Sequence, residues 1–195
     1  MYRVVTEVGG VREYLSRSSL VAFDFETAPD EQFRSEERAA LDPHKAHIVG
    51  VSFSTAEGDG IYIPIAHKVG ANAISLTELW QWMTNNFFLN KSVVKIAHNL
   101  AFESAFLYAR GIVIQGPVYD TIAAAQMTLK GNMAFRTLSD SGLKTLVPEL
   151  LGDELPGFSE VTGGRNFDEL DSAASETIRY ACAENNGEVS GSCGR

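Results

Sequence analysis

The chain reads as an α/β domain, a mixed β-sheet with an antiparallel meander followed by parallel strands, flanked by α-helices. Two patterns predict this. Three strand-like runs lie close together early in the chain, at about 20–27, 47–55 and 60–66, joined by polar segments. After them, apolar runs of strand length alternate with runs of helical period, the order expected when helices cover a sheet. Size and composition agree. The 195 residues, 45% hydrophobic and 21% charged, suit one globular domain with a sizeable core.

Residues 2–6 form a short strand in this reading, and Thr6-Glu7 opens a helix to about Ser16 with Val8, Val11, Tyr14 and Leu15 on one face. Pro29 and the charged segment 30–45 end the strand at 20–27, with a turn at Asp42-Pro43. The next two strands make a hairpin whose loop, Ser54 to Gly60, is longer than the tightest turns. Ser75 and Glu78 have capping-box spacing, so a helix should run to about Phe88 and bury Leu76, Leu79, Trp80, Met83 and Phe87. SVVKIAH (92–98) is a fourth strand. Asn99 caps a helix to about Arg110, which Gly111 ends, and IVIQ (112–115) is a short fifth strand. Asp120 is the N-cap of the helix DTIAAAQMTLK. Residues 138–151 give one or two short helices, and 152–168 read as loop with a tight turn at Gly163-Gly164. A final helix runs from Asp171 to about Asn185. The small polar residues 186–195 read as a disordered tail, which leaves 1–185 as the domain.

No apolar run approaches the ~18 residues of a membrane span, and the start, MYRVVTEVGG, lacks a signal-peptide pattern. The expectation is a soluble, cytoplasmic protein with no membrane partner. Cys182 and Cys193 have neither metal-ligand spacing nor the number for a disulfide framework. The formal net charge of −9 argues against a protein that coats long duplex nucleic acid by neutralising phosphates. An enzyme that grips a few nucleotides through bound cations is compatible with it.

The chemistry concentrates at VAFDFET (21–27). Asp24 and Glu26 are two apart on a strand, so both point to one face, while Val21, Phe23 and Phe25 point to the other. Like charges side by side on an apolar strand are costly unless a divalent cation neutralises them, and carboxylates suit Mg²⁺ or Mn²⁺. A half-exposed edge strand with solvated acids would look the same. Two further acids lie on apolar helical stretches. Glu103 is four positions after Asn99, near a helix N-terminus where anions are favoured; a surface glutamate is the plain alternative. Glu184 is four positions after Tyr180 and shares its helix face; a tyrosine half in the core is the plain alternative. His44, His47 and His67 read as surface residues.

The three stretches resemble the 3′–5′ exonuclease (proofreading) domain of family A DNA polymerases, of the DnaQ-like, ribonuclease-H-like exonucleases with a tyrosine in the third motif, a variant shared with RNase D. DFET at 24–27 is similar to the first motif, NLAFE at 99–103 to the second and YACAE at 180–184 to the third. YDTIAAAQMTL at 119–129 looks like the family's Asp-Thr helix start, and GLKTLVPELLG with FSEVTGG like its linking region. The resemblance covers about residues 2–185. It implies a ribonuclease-H-like fold and two Mg²⁺ or Mn²⁺ ions held by Asp24, Glu26, Glu103 and Glu184. Tyr180 would orient the attacking water, since a free phenol has pKa ~10. His98, Asn99 and Thr27 would contact the terminal nucleotide, although strand-end and cap roles account for them equally well.

The implied activity releases nucleoside 5′-monophosphates from single-stranded or frayed DNA 3′ ends, by a monomer or beside a polymerase domain. Trimming of RNA 3′ ends in the manner of RNase D is an alternative. So is a weakened, nucleic-acid-binding relative, because Glu103 and Glu184 stand where the family carries aspartate. Each added methylene extends the carboxylate by about 1.5 Å.

Overall fold

The computed structural model describes residues 1–128, 142–152 and 154–192; in the last helix the side chains of Glu184 and of 186–192 lie outside that description. The strands are β1 (Tyr2–Val4), β2 (Leu20–Pro29), β3 (Ala46–Ala56), β4 (Asp59–Pro64), β5 (Val94–Ala97) and β6 (Val118–Asp120). The helices are α1 (Val8–Leu15), α2 (Leu76–Met83), α3 (Leu100–Tyr108), α4 (Thr121–Thr128), α5 (Leu143–Leu151), α6 (Phe158–Thr162) and α7 (Ser175–Ser192). The sheet order is β1-β4-β3-β2-β5-β6. β2, β3 and β4 form the antiparallel meander, and β5 and β6 extend it in parallel from β2. The mixed sheet and its flanking helices are as the sequence predicts.

Strand alternation divides β2 between two layers. Val21, Phe23 and Phe25 are buried in the larger core, with α1, α2, α3 and the edge-to-face ring cluster of Phe23, Phe87 and Phe88. The even-numbered face carries the two acids. Tyr62 of β4 lies in the second cluster with Phe167, Tyr180, Ala181 and Cys182, the last three from α7. The position of α7 over β2, β3 and β4 thus follows from an apolar stripe at 178, 181 and 182.

Several expectations are corrected. The β3–β4 hairpin is tight: Ala56 pairs with Asp59, leaving only Glu57-Gly58, and Gly58 takes φ +70°. Residues 112–115 are not a strand. Ile112 and Ile114 pack against the larger core, Gly116 turns the chain at φ +83°, and β6 pairs with β5 only from Val118. Ser75 makes no side-chain cap bond, and Leu76 is exposed. The helix it begins passes at Thr84–Phe88 into a π-turn that brings Phe87 and Phe88 together into the core.

Within 152–168 the chain forms α6 rather than continuous loop, although Gly163 and Gly164 do turn with positive φ. The last helix begins at Ser175, because Asp171 is engaged in a turn to Ala173 and a bridge to Val69. Its backbone continues past Asn185 to Ser192. Leu129, Lys130, residues 138–141 and Cys193 lie outside the described residues.

Candidate active site

Asp24 and Glu26 share one face of β2. Asp24 is half-buried and Glu26 only 7% exposed, so this is no solvated edge pair. The strand is central, with β3 on one side and β5 on the other. Ser52 lies opposite Asp24 and Gly50 opposite Glu26. Immediately after Glu26 the register slips by one residue, a bulge that re-aims the strand where the acids end. Thr27 follows the bulge, and its hydroxyl donates to the Ala40 carbonyl at 2.7 Å.

The second motif lies at the turn from β5 into α3. Asn99 is the N-cap residue by position, in left-handed conformation (φ +66°, ψ +52°), yet its side chain makes no cap bond and is exposed. His98 Nδ1 lies 2.8 Å from Thr121 Oγ1. Glu103 follows in the first turn of α3 and is only 1% exposed. The surface-glutamate reading is therefore overturned. A carboxylate buried in the same turn region as Phe106 and Leu107 gains from the helix N-terminus.

The third motif lies on α7. Tyr180 is 6% exposed, 5.9 Å from the Phe167 ring and 6.1 Å from the Phe158 ring, with Lys144 Nζ 5.8 Å from its own centroid. Asn185, fully buried, donates from Nδ2 to Ser52 Oγ at 2.6 Å, tying α7 to the residue opposite Asp24. Glu184 immediately precedes this anchor and, by helical period, shares a face with Tyr180.

The electrostatics of the face are negative. Burial raises Tyr62 well above the ordinary phenol range, and Glu26, Cys182 and Asp24 add to it. Burial, then Glu26, lifts the Cys182 thiol to about 12. The donor set is all carboxylate oxygen, which suits a hard divalent cation, and Glu26 Oε1 and Glu103 Oε2 are sealed from solvent. Among the described residues, no group of three or more His, Cys, Asp and Glu side chains has the geometry to hold a metal. The fourth acid of the expected set, Glu184, has no described side chain.

His67 is not a surface residue. It is 6% exposed, with Nε2 2.6 Å from the Tyr62 hydroxyl and Nδ1 2.9 Å from the Leu170 carbonyl. His47 lies 2.8 Å from Asp30. Ser52 and Asn185 were not singled out from sequence as site residues. The one available signal for Ser52 is a polar residue in phase with Asp24 across a hairpin.

A 3′–5′ exonuclease family model matches residues 10–183, which include Asp24, Glu26, Glu103 and Tyr180. DNA polymerase I of Chloroflexus aurantiacus is 28% identical over 154 residues, 76% of this chain and 15% of that polymerase. The chain thus spans about a seventh of that relative's length. Brucella melitensis NrnC has a solved structure of TM-score 0.66 at 20% identity, covering 98% of this chain and 78% of that one; it has also been solved with Mg²⁺ and with pGG. Escherichia coli RNase D, an exoribonuclease involved in structured RNA processing, gives 0.64 at 16% identity over 96% and 42%. At these identities the structural likeness establishes the fold. The family match extends over most of the chain, and on that ground the protein belongs to the 3′–5′ exonuclease domain family of A-type DNA polymerases.

Proposed function

We propose that this chain is a metal-dependent exonuclease that hydrolyses the last phosphodiester of single-stranded or frayed DNA 3′ ends and releases nucleoside 5′-monophosphates. The observation that carries the reading is the seating of α7, which bears the third motif, over the face of β2 that carries Asp24 and Glu26. β2 brings Asp24 and Glu26, α7 crosses that face anchored by Asn185 on Ser52, and α3, packed against the other face, starts just past the end of the neighbouring strand β5 with Glu103 buried in its first turn. The naming of the matched polymerase favours DNA.

Asp24, Glu26, Glu103 and Glu184 are the residues that would hold two Mg²⁺ or Mn²⁺ ions. When bound, these would lower the pKa of water and stabilise charge on the leaving 3′ oxygen. Tyr180, seated among rings, would fix the direction of the attacking water. Water oxygen bonds to phosphorus as the P–O3′ bond breaks, and the proton passes to the leaving oxygen. The Asn99 side chain, exposed and not engaged in capping, would receive the terminal nucleotide together with His98. The Thr27 hydroxyl already donates to Ala40, so this residue would act through its backbone. Frayed ends would be preferred because a paired terminal nucleotide must first be unstacked.

The fold shared with RNase D supports a second reading, the trimming of RNA 3′ ends. One experiment separates the readings: 5′-labelled single-stranded DNA and RNA of one sequence, incubated with Mn²⁺. The expected result is a ladder shortening from the 3′ end, faster on DNA, abolished in Asp24→Ala. Faster shortening of RNA would reassign the substrate. No shortening of either would leave a nucleic-acid-binding relative.

A further inference from the structure

The exposed amide of Asn99 raises a question of geometry. A left-handed asparagine heads α3 without capping it, so something else must satisfy the first amides of the helix. Asp120, from the end of β6, does so. Its Oδ1 accepts from the Asn99 amide at 3.0 Å, and its Oδ2 accepts from the Leu100 amide at 3.1 Å. The same Oδ1 also accepts from Ile122 at 3.1 Å, the N-cap bond of its own helix α4. One carboxylate thus caps two helices. The pairing of Ala97 with Asp120 puts the two strand ends side by side, and the contact of His98 with Thr121 closes the joint from the other side.

We propose that Asp120 is a positioning residue for the second motif: by capping α3 from outside, it fixes Asn99 for the substrate and sets the first helical turn, on which Glu103 stands. This rests on the exonuclease reading of the site. An asparagine that capped its own helix would need its side chain for that bond. Here the cap comes from 21 residues downstream, and the Asn99 side-chain amide stays exposed. Catalytic geometry tolerates errors of well under 1 Å, and a joint made of three charge-assisted bonds is a means of holding α3 to that tolerance.

The test compares Asp120→Ala, Asp120→Asn and a core variant remote from the joint, Val11→Ala, as a stability control. In Asp120→Ala the amides of Asn99 and Leu100 should exchange hydrogen faster. kcat should fall by about 10–100-fold with KM changed far less, and calorimetric Mn²⁺ binding should weaken. Asp120→Asn, which keeps one acceptor oxygen, should recover part of each loss, and Val11→Ala should lower Tm while sparing kcat and Mn²⁺ binding. If Asp120→Ala lowers Tm but leaves kcat and Mn²⁺ binding within about twofold, the residue is merely structural and the proposal is overturned. If the wild type does not hydrolyse nucleic acid, the exonuclease reading fails separately, and calorimetry decides this proposal. Weaker Mn²⁺ binding in Asp120→Ala than in wild type upholds it; equal binding, or none by either, overturns it.

Discussion

Gly50 shows how narrowly single residues are fitted on the acid face. A Cβ at this position would lie 2.0 Å from the Tyr62 hydroxyl, which is itself 2.6 Å from His67. Gly50→Ala must therefore displace a fully buried tyrosine or bend β3 opposite Glu26. Overpacking of this kind costs about 1–3 kcal/mol, and urea unfolding should read it directly; an unchanged midpoint would contradict the packing described. His67 makes a second prediction. Burial lowers its pKa, partly offset by the hydrogen bond to Leu170 and by Asp168 and Asp171. The unfolded chain returns to about 6.5. Below that value the unfolded state takes up a proton that the folded state refuses, so stability falls as pH drops through the window between the two pKa values. The limiting slope is about 1.4 kcal/mol per pH unit. Unfolding free energies from pH 7.5 down to 5 should show this contribution in wild type and lack it in His67→Gln. Sequence alone misled here, because a histidine after a strand end carries no mark of the tyrosine that faces it from inside the same strand.

At the scale of elements, the excursion 30–45 between β2 and β3 is more than a connection. Arg34 reaches Asp168 with both terminal nitrogens, and Lys68 Nζ lies 3.5 Å from the same carboxylate. Asp168 is 1% exposed and next to Phe167, which packs against Tyr180. The excursion thus fixes the turn that seats the third motif. Arg34→Ala leaves a buried carboxylate with one lysine, and the expected loss is about 2–3 kcal/mol, below the ~3–5 of an unrelieved pair because Lys68 remains. Arg34→Lys should recover only part, since the fork is lost. Equal stability of Arg34→Ala and wild type would remove the excursion from the framework.

Sequence pattern identified β2, the meander, α1 and α3, because each carries alternating or helical apolar spacing that burial rewards locally. It missed the true position of β6, which depends on which carbonyls β5 offers. It also passed over Lys95, fully buried with its Nζ donating to the Asn90, Val93 and Gln115 carbonyls. Two of its partners lie in the turn before β5, and the third, Gln115, is placed by the turn at Gly116. The candidate site was legible to the same degree. Asp24 and Glu26 follow from strand period and Glu103 from a polar residue on an apolar helix. The Asp120 cap and the Asn185–Ser52 tie join residues 20 and 133 apart, a separation that spacing cannot report.

For the molecule as a whole, a net charge of −9 and a sheet face carrying paired acids set up a balance between stability and function. In the metal-free chain Asp24 and Glu26 repel across one strand face, and the folded state bears that cost while the unfolded chain does not. A cation that binds only the folded state reverses the sign, by about 2.7 kcal/mol at a hundredfold excess over Kd. For a chain of this length that corresponds to a Tm rise of roughly 5–10 °C. Wild type should gain this much with Mn²⁺ and lose it again with EDTA. Asp24→Asn should start higher than wild type in EDTA, because one of the two like charges is gone, and gain little from Mn²⁺. The two effects are tied to one cause, so they must appear together. If Asp24→Asn is no more stable than wild type without metal, the repulsion is not what the fold carries. If it gains as much as wild type when Mn²⁺ is added, Asp24 is not a ligand, and the central strand holds its acids for some other purpose.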